Sequence, residues 1–274
     1  MQYFSAQPSP LLAPYVKNYW AMENCLPQGK VYHHRIIPTG LPDLSFYLHN
    51  RPCISKTGKT FESPSTLTGQ HKNYYNLSLT GQTTLFSVTF RPSGLAAFFP
   101  LPAKELFSLH VPLQQILATE VVRKMEDQLF EASTFVERVK IAEDFLIRLL
   151  RKNTNDYPGK RIMASIERVN KSTGHITVDQ LAKEACYSRK QFERVFAAKA
   201  GISPGQFLRV VRFQHALHLG VGGYKQNLTQ LSYHAGYYDQ AHMINEFQKL
   251  SGLTPSEFFK NDCAPYSDYF GDMS

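Results

Sequence analysis

The chain has 274 residues, with 30 Lys and Arg against 22 Asp and Glu, a formal charge of +8 when its ten His are neutral. At 43% hydrophobic and 19% charged residues it is too apolar to stay disordered, and its length suits one large domain or two of common size, of which two are favoured. No apolar run approaches the roughly 18 residues that cross a bilayer, and the start MQYFSAQPSPLLAPY lacks a basic stretch followed by an unbroken apolar one, so a cytoplasmic protein with no membrane partner is expected.

In chain order, the first 110 residues carry short segments rich in β-branched and aromatic residues, bounded by Pro, Gly, Asn or Ser: Val31 to Ile37, Leu44 to Leu48, Tyr74 to Leu79 and Leu85 to Phe90. They predict a small antiparallel β-sandwich or barrel. A helix then begins at Thr134, where Thr134 and Glu137 form a capping box. Phe135, Val139, Ala142, Leu146 and Leu149 line one face of it as far as Lys152. That stripe has to be covered, either by its own domain or by a second helix in a dimer seam. KNTNDYPGK, residues 152–160, gathers turn formers and charges and marks the domain boundary. The expected division is 1–155, a β-rich sensor and dimerisation domain ending in helices; 156–262, an all-α domain; and 263–274, a C-terminal tail.

The excess charge is uneven. Residues 158–262 hold 14 basic and 8 acidic side chains, a net +6, and the remainder only +2. A positive field confined to one domain points to an anionic partner, with nucleic acid the commonest. The same region contains an internal repeat. Leu181, Ala185 and Tyr187 match Leu231, Ala235 and Tyr237 at an offset of 50, and after one extra residue near Tyr238 the offset becomes 51. Phe196, Gly201, Ser203-Pro204 and Phe207 then match Phe247, Gly252, Thr254-Pro255 and Phe258.

Each copy reads as a helix, a tight turn, a second helix, and a third starting after Ser-Pro or Thr-Pro. Thr177 with Gln180 and Ser188 with Gln191 cap the first two helices of copy one; Asn227 with Gln230 and Asp239 cap their counterparts. Two short helices across a tight turn form a helix-turn-helix unit, whose second helix can enter the DNA major groove. Two such units joined by an amphipathic linker helix, about Pro204 to Leu219, are far more specific than one. The first recognition-type helix offers Arg189, Lys190, Gln191, Glu193 and Arg194; the second offers Gln240, Ala241, His242 and Asn245. Arg and Lys can donate to guanine, Gln and Asn pair with adenine, and Ala meets a thymine methyl.

These residues resemble the AraC/XylS family of bacterial transcription regulators. The resemblance rests on Leu181-Ala182, Ser188, Phe196, Gly201-Ile202-Ser203-Pro204, Arg212 to Ala216, Gly236-Tyr237, Asp239 to His242, Phe247 and Gly252-Leu253-Thr254-Pro255, and covers about 100 residues. Two positions depart from the pattern: Cys186 stands where Gly is usual in the first turn, and Asn245 where Arg is frequent. The resemblance implies a sequence-specific regulator that binds double-stranded promoter DNA through Lys190 and Arg194, with Gln240, His242 and Asn245 from the second helix. It implies Arg212 as a packing residue or a phosphate ligand, RNA polymerase as a further partner, and a β-rich sensor, sometimes cupin-like, that dimerises and responds to a small effector. Pro38 to Leu44, and Phe86 to Phe90 running into Arg91-Pro92-Ser93-Gly94, resemble segments of one sensor class found on these regulators.

The fold class expected is therefore α+β: an N-terminal sandwich or barrel with helices, then two helix-turn-helix motifs joined by a linker helix. No enzyme, cofactor or metal is expected. The alternative is a cupin-like enzyme or metal-binding barrel carrying a DNA-binding tail. His33, His34, His49, His71 and His110 favour it weakly, because adjacent His33 and His34 point to opposite faces of a strand and no His-x-His pair precedes a Glu. Cys25, Cys53, Cys186 and Cys263 form no C-x-x-C pair and read as reduced thiols. An apolar sensor pocket is expected instead, with Tyr15, Tyr19, Trp20, Tyr47, Tyr74 and Tyr75 as residues that could line it or fill a core.

Overall fold

A computed structural model describes residues 2–152, 157–221 and 227–260. Ten strands come first: β1 (Gln2–Ala6), β2 (Val16–Cys25), β3 (Val31–Ile36), β4 (Asp43–Tyr47), β5 (Cys53–Ile54), β6 (Lys59–Thr60), β7 (Ser65–Thr68), β8 (Tyr75–Thr80), β9 (Gln82–Phe90) and β10 (His110–Pro112). They form a six-stranded sheet in the order β1-β2-β9-β4-β7-β10 and a four-stranded sheet in the order β3-β8-β5-β6, with antiparallel pairing throughout. This is a sandwich, and the four strands expected from sequence are all in it. β1, β2, β5, β6, β7 and β10 were not expected.

The period-two geometry of a strand gives the large sheet two different faces. Tyr19 and Ala21 of β2, Leu44 and Phe46 of β4, and Phe86, Val88 and Phe90 of β9 point into a core shared with two helices, α1 (Thr119–Glu131) and α2 (Phe135–Lys152). The alternate residues of the same strands face the small sheet.

The apolar stripe on α2 is covered by this sandwich. Ala142 and Leu146 are fully buried, Phe135 lies between Phe4 and Phe86 with centroids 5.7 and 6.1 Å away, and Val139 and Leu149 pack against the same core. The Thr134–Glu137 capping box is present in both directions, at 3.0 and 3.2 Å. The expected boundary falls in residues 153–156, and the expected tail 263–274 and Cys263 also lie outside the described residues.

The remaining helices are α3 (Tyr157–Lys171), α4 (Val178–Glu184), α5 (Arg189–Ala200), α6 (Pro204–Val221), α7 (Leu228–His234), α8 (Gln240–Ser251) and α9 (Pro255–Lys260). The caps fall where the sequence puts them. Thr177 and Gln180 form a reciprocal box, Ser188, Asn227 and Asp239 each accept from the backbone N–H three residues on, and Ser203–Gln206 and Thr254–Glu257 open α6 and α9. Each helix-turn-helix unit has its own core. The first gathers Ile162, Leu181, Phe192, Phe196 and Phe207, the second Phe213, Leu231, Met243, Phe247 and Phe258, and α6 contributes to both.

Gly94 shows how closely the sandwich is closed. A Cβ at this position would collide with the backbone carbonyl of Tyr15, which cannot swing away. Gly94→Ala is therefore expected to destabilise the chain by about 1–3 kcal/mol, as overpacking does, and a urea titration against wild type checks it. An unchanged midpoint would show that the Tyr15 segment yields freely.

Candidate nucleic-acid interface

Both turns of the repeated motif need a left-handed residue. Cys186 has φ 52° and Gly236 φ 79°, and in each unit the next Tyr donates its N–H back into the first helix, Tyr187 to Ala182 and Tyr237 to Ser232, both at 2.9 Å. Cys186 thus adopts the conformation that its position demands without the residue that adopts it most cheaply. The turn tyrosines are matched too. The Arg161 guanidinium lies 3.8 Å from the Tyr187 ring centroid and bonds the Ala185 carbonyl, while that of Arg212 lies 6.0 Å from the centroid of Tyr237.

On α5, Arg189, Lys190, Gln191, Glu193 and Arg194 are all exposed. Arg189 is held by Asp179 at 2.9 Å and Glu193 at 3.2 Å, and each of these exposed pairs contributes little to stability. Lys190 and Arg194 have no ion pair among the described residues, so they are the cations of this helix that carry uncompensated charge.

The second face has a different chemistry. Ala241, His242 and Asn245 are exposed and Gln240 is half-buried, accepting a hydrogen bond from Thr229 Oγ1 at 2.8 Å. His242 sits edge-on to Tyr237 at 5.4 Å, and Tyr238, the extra residue of the second copy, is 87% exposed beside the start of α8. α8 has no Lys or Arg before Lys249. Its buried Glu246 instead receives Arg209 of the linker helix at 2.7 Å, a tie that the sequence reading missed because neither residue belongs to a recognisable motif.

Arg212 is half-buried at the joint between the units, with its Cγ close to Gly174 and its Nε buried without a hydrogen-bond partner. The seven other expected site residues lie on α5 and α8.

Between the two sheets lies a cavity of about 430 Å³. Trp20, Tyr47 and Tyr75 line it, as the tyrosine-rich sequence allowed; Tyr19 belongs to the core under the helices, and Tyr74 lies against Arg35, whose guanidinium is 5.0 Å from its ring. Its polar wall includes Lys17, Asp43 and Ser45, with Thr89 donating to Asp43 at 2.6 Å. Desolvation pushes the Asp43 carboxyl up to about 7, against the opposing pull of the Thr89 hydroxyl and Lys17. His34 lines the cavity while His33 bonds Ser78 outside it, so the adjacent pair does face opposite ways. The rings of His71 and His110 lie tilted against each other with centroids 4.8 Å apart, and burial lowers them to about 3 and about 4. Among the described residues no three His, Cys, Asp or Glu side chains are grouped so as to hold a metal ion.

Residues 181–261 match the family described as a helix-turn-helix domain, and residues 5–112 match one described as a domain of unknown function. A Haemophilus influenzae protein described as an HTH-type transcriptional regulator is 36% identical over 84 residues. Residues 181–261 thus carry a helix-turn-helix domain. The match to that relative covers 31% of this chain and 28% of the relative. Among solved structures, ToxT from Vibrio cholerae bound to (E)-4-(8-methylnaphthalen-1-yl)but-3-enoic acid aligns over 88% of this chain and 98% of its own, with a TM-score of 0.46 and 12% identity. CuxR, an AraC-like transcriptional activator, aligns over 75% and 78% with a TM-score of 0.28 and 12% identity.

The cavity makes a pH prediction with a definite sign. Asp43 titrates higher when folded than the usual carboxylate near 4, so its protonated form contributes stability that is complete below about pH 4 and lost as pH rises toward 7. Asp43→Asn should remove that decline, leaving a flatter melting temperature between pH 4 and 7 than wild type. Identical profiles for the two proteins would mean that Asp43 does not titrate in this window.

Proposed function

We propose that this chain regulates transcription by sequence-specific binding to double-stranded promoter DNA, with α5 and α8 in the major groove and a small effector held between the two sheets. The observation that carries the reading is the pair of capped, repeat-related helices whose exposed faces offer hydrogen-bonding side chains, with Lys190 and Arg194 unpaired on the first. Phosphate contacts would supply most of the affinity, and base edges the choice of site. The cavity between the sheets, with an aromatic wall and a few polar groups, is what supports the effector. The division into 1–155, 156–262 and a tail, a homodimer, a contact with RNA polymerase and the absence of enzymatic activity belong to the same reading. Among the described residues no helix is long and apolar enough to cross a membrane.

The two faces predict unequal work. Arg194→Ala should cost about 1–3 kcal/mol in specific binding and relax preference at one base position. Asn245→Ala should change base preference but leave the salt dependence of binding intact, whereas Lys190→Ala, like Arg194→Ala, should relax preference at one base position. Footprinting and fluorescence titrations over a range of salt check these outcomes. The full chain showing no preferred promoter site at any salt would sink the proposal.

A further inference from the structure

The two helix-turn-helix cores share no buried residue, yet both are completed by one loop of the sandwich, between β3 and β4. Ile37, 3% exposed, packs into the second core, and Leu41, 5% exposed, packs into the first. Between them the Pro38 carbonyl accepts Gln214 Nε2 of the linker helix at 2.8 Å, where Gln214 is itself buried.

Two more contacts reach the recognition helices themselves. Gln70 Nε2 donates to the carbonyl of Ala200 at 2.5 Å, and Arg35 Nη1 donates to the carbonyl of Ser251 at 3.1 Å. Ala200 and Ser251 are the last residues of α5 and α8, and they correspond to each other at the repeat offset of 51. Each precedes a left-handed Gly, Gly201 at φ 86° and Gly252 at φ 75°, and each Gly abuts the sandwich, at the Ala103 carbonyl and the Tyr74 ring. A helix end leaves carbonyls without intrahelical partners. Here the equivalent ends of both recognition helices find donors on one body, and the Arg35 cation also suits the negative end of α8.

We propose that Arg35, Gln70, Ile37 and Leu41 are positioning residues for DNA recognition: the sandwich is a frame that holds α5 and α8 at a fixed separation, bracing a pair otherwise joined through α6. The inference rests on the DNA-binding reading above. A frame of this kind touches no DNA. It acts by rejecting sites whose two half-boxes are wrongly spaced, since groove segments must match the separation of the helices that enter them.

The test uses the full chain and a pool of randomised duplexes, from which the wild type selects a consensus. One base pair is then inserted or removed between the two half-boxes. Wild type should lose roughly tenfold or more in affinity for either altered spacing. With Gln70→Ala and Arg35→Ala combined, that penalty should shrink to about threefold or less with the salt slope unchanged, because no phosphate contact is removed. Arg35→Lys retains a donor for Ser251 and should keep most of the penalty. Uniformly weaker binding with an intact spacing penalty would overturn the proposal.

Hydrogen exchange on the DNA-free chain supplies a second readout and serves if the double variant does not fold. Gln70→Ala alone, which removes a contact to α5 only, should speed exchange at residues 248–252 of α8 as well as at 197–201. Acceleration confined to α5 would overturn the frame. If the wild type selects no consensus, the DNA-binding function fails, and the exchange measurement decides the frame by itself.

Discussion

A β-strand must show successive side chains to opposite faces, and the six-stranded sheet turns that constraint into two unlike interiors. One face is dry and aromatic, and α1 and α2 close over it. The other carries Asp43, Ser45, Ser87 and Thr89 toward the small sheet, where Ser45 and Ser87 bond each other at 3.1 Å and Trp20 Nε1 donates to Thr89 at 3.1 Å. A single-residue slip in register would exchange the two sets and put a carboxyl in the aromatic core. The rest of the molecule depends on this register, because it places the cavity on the side that faces the small sheet, from whose β3 Arg35 reaches α8.

The helical half achieves its precision by local means. Every helix start from α4 to α9 is marked by a side chain that accepts the N–H groups a helix leaves unpaired, so the units need few long-range contacts to define their ends. What distinguishes the units is charge. The first presents unpaired cations on α5 and the second a surface of amide, imidazole and phenol with no Lys or Arg before Lys249, so the +6 of residues 158–262 is unevenly spread over the two helices. The Arg209–Glu246 pair, buried on its carboxylate side, spends one of the second unit's charges on the joint instead of the surface.

The helix-turn-helix half was legible in the sequence because its information is local: caps, turn residues and a repeat all lie within a few positions of what they specify. Cys186 illustrates the strength of that logic, taking the left-handed conformation its Gly-bearing counterpart takes. β2 was not legible. Its Lys17, Asn18 and Glu23 interrupt the apolar alternation, since they face the cavity or, like Glu23, pair with Arg138 of α2 at 3.0 Å. β7, STLT, is short and polar and becomes a strand only because β4 and β10 pair with it. Arg35 and Gln70 belong to no motif, and their partners lie 216 and 130 residues away, a distance that no local pattern encodes.

The loop Ile37–Leu41 also lines the cavity, so the same side chains serve as pocket wall and as helix-turn-helix core. Pocket shape and the packing of the two helix-turn-helix units are therefore not separately evolvable. A lineage that changes Ile37 or Leu41 and so reshapes the cavity alters the packing beneath α5 and α8 in the same mutation. Drift in either trait should leave compensating changes in the other, concentrated around these five residues.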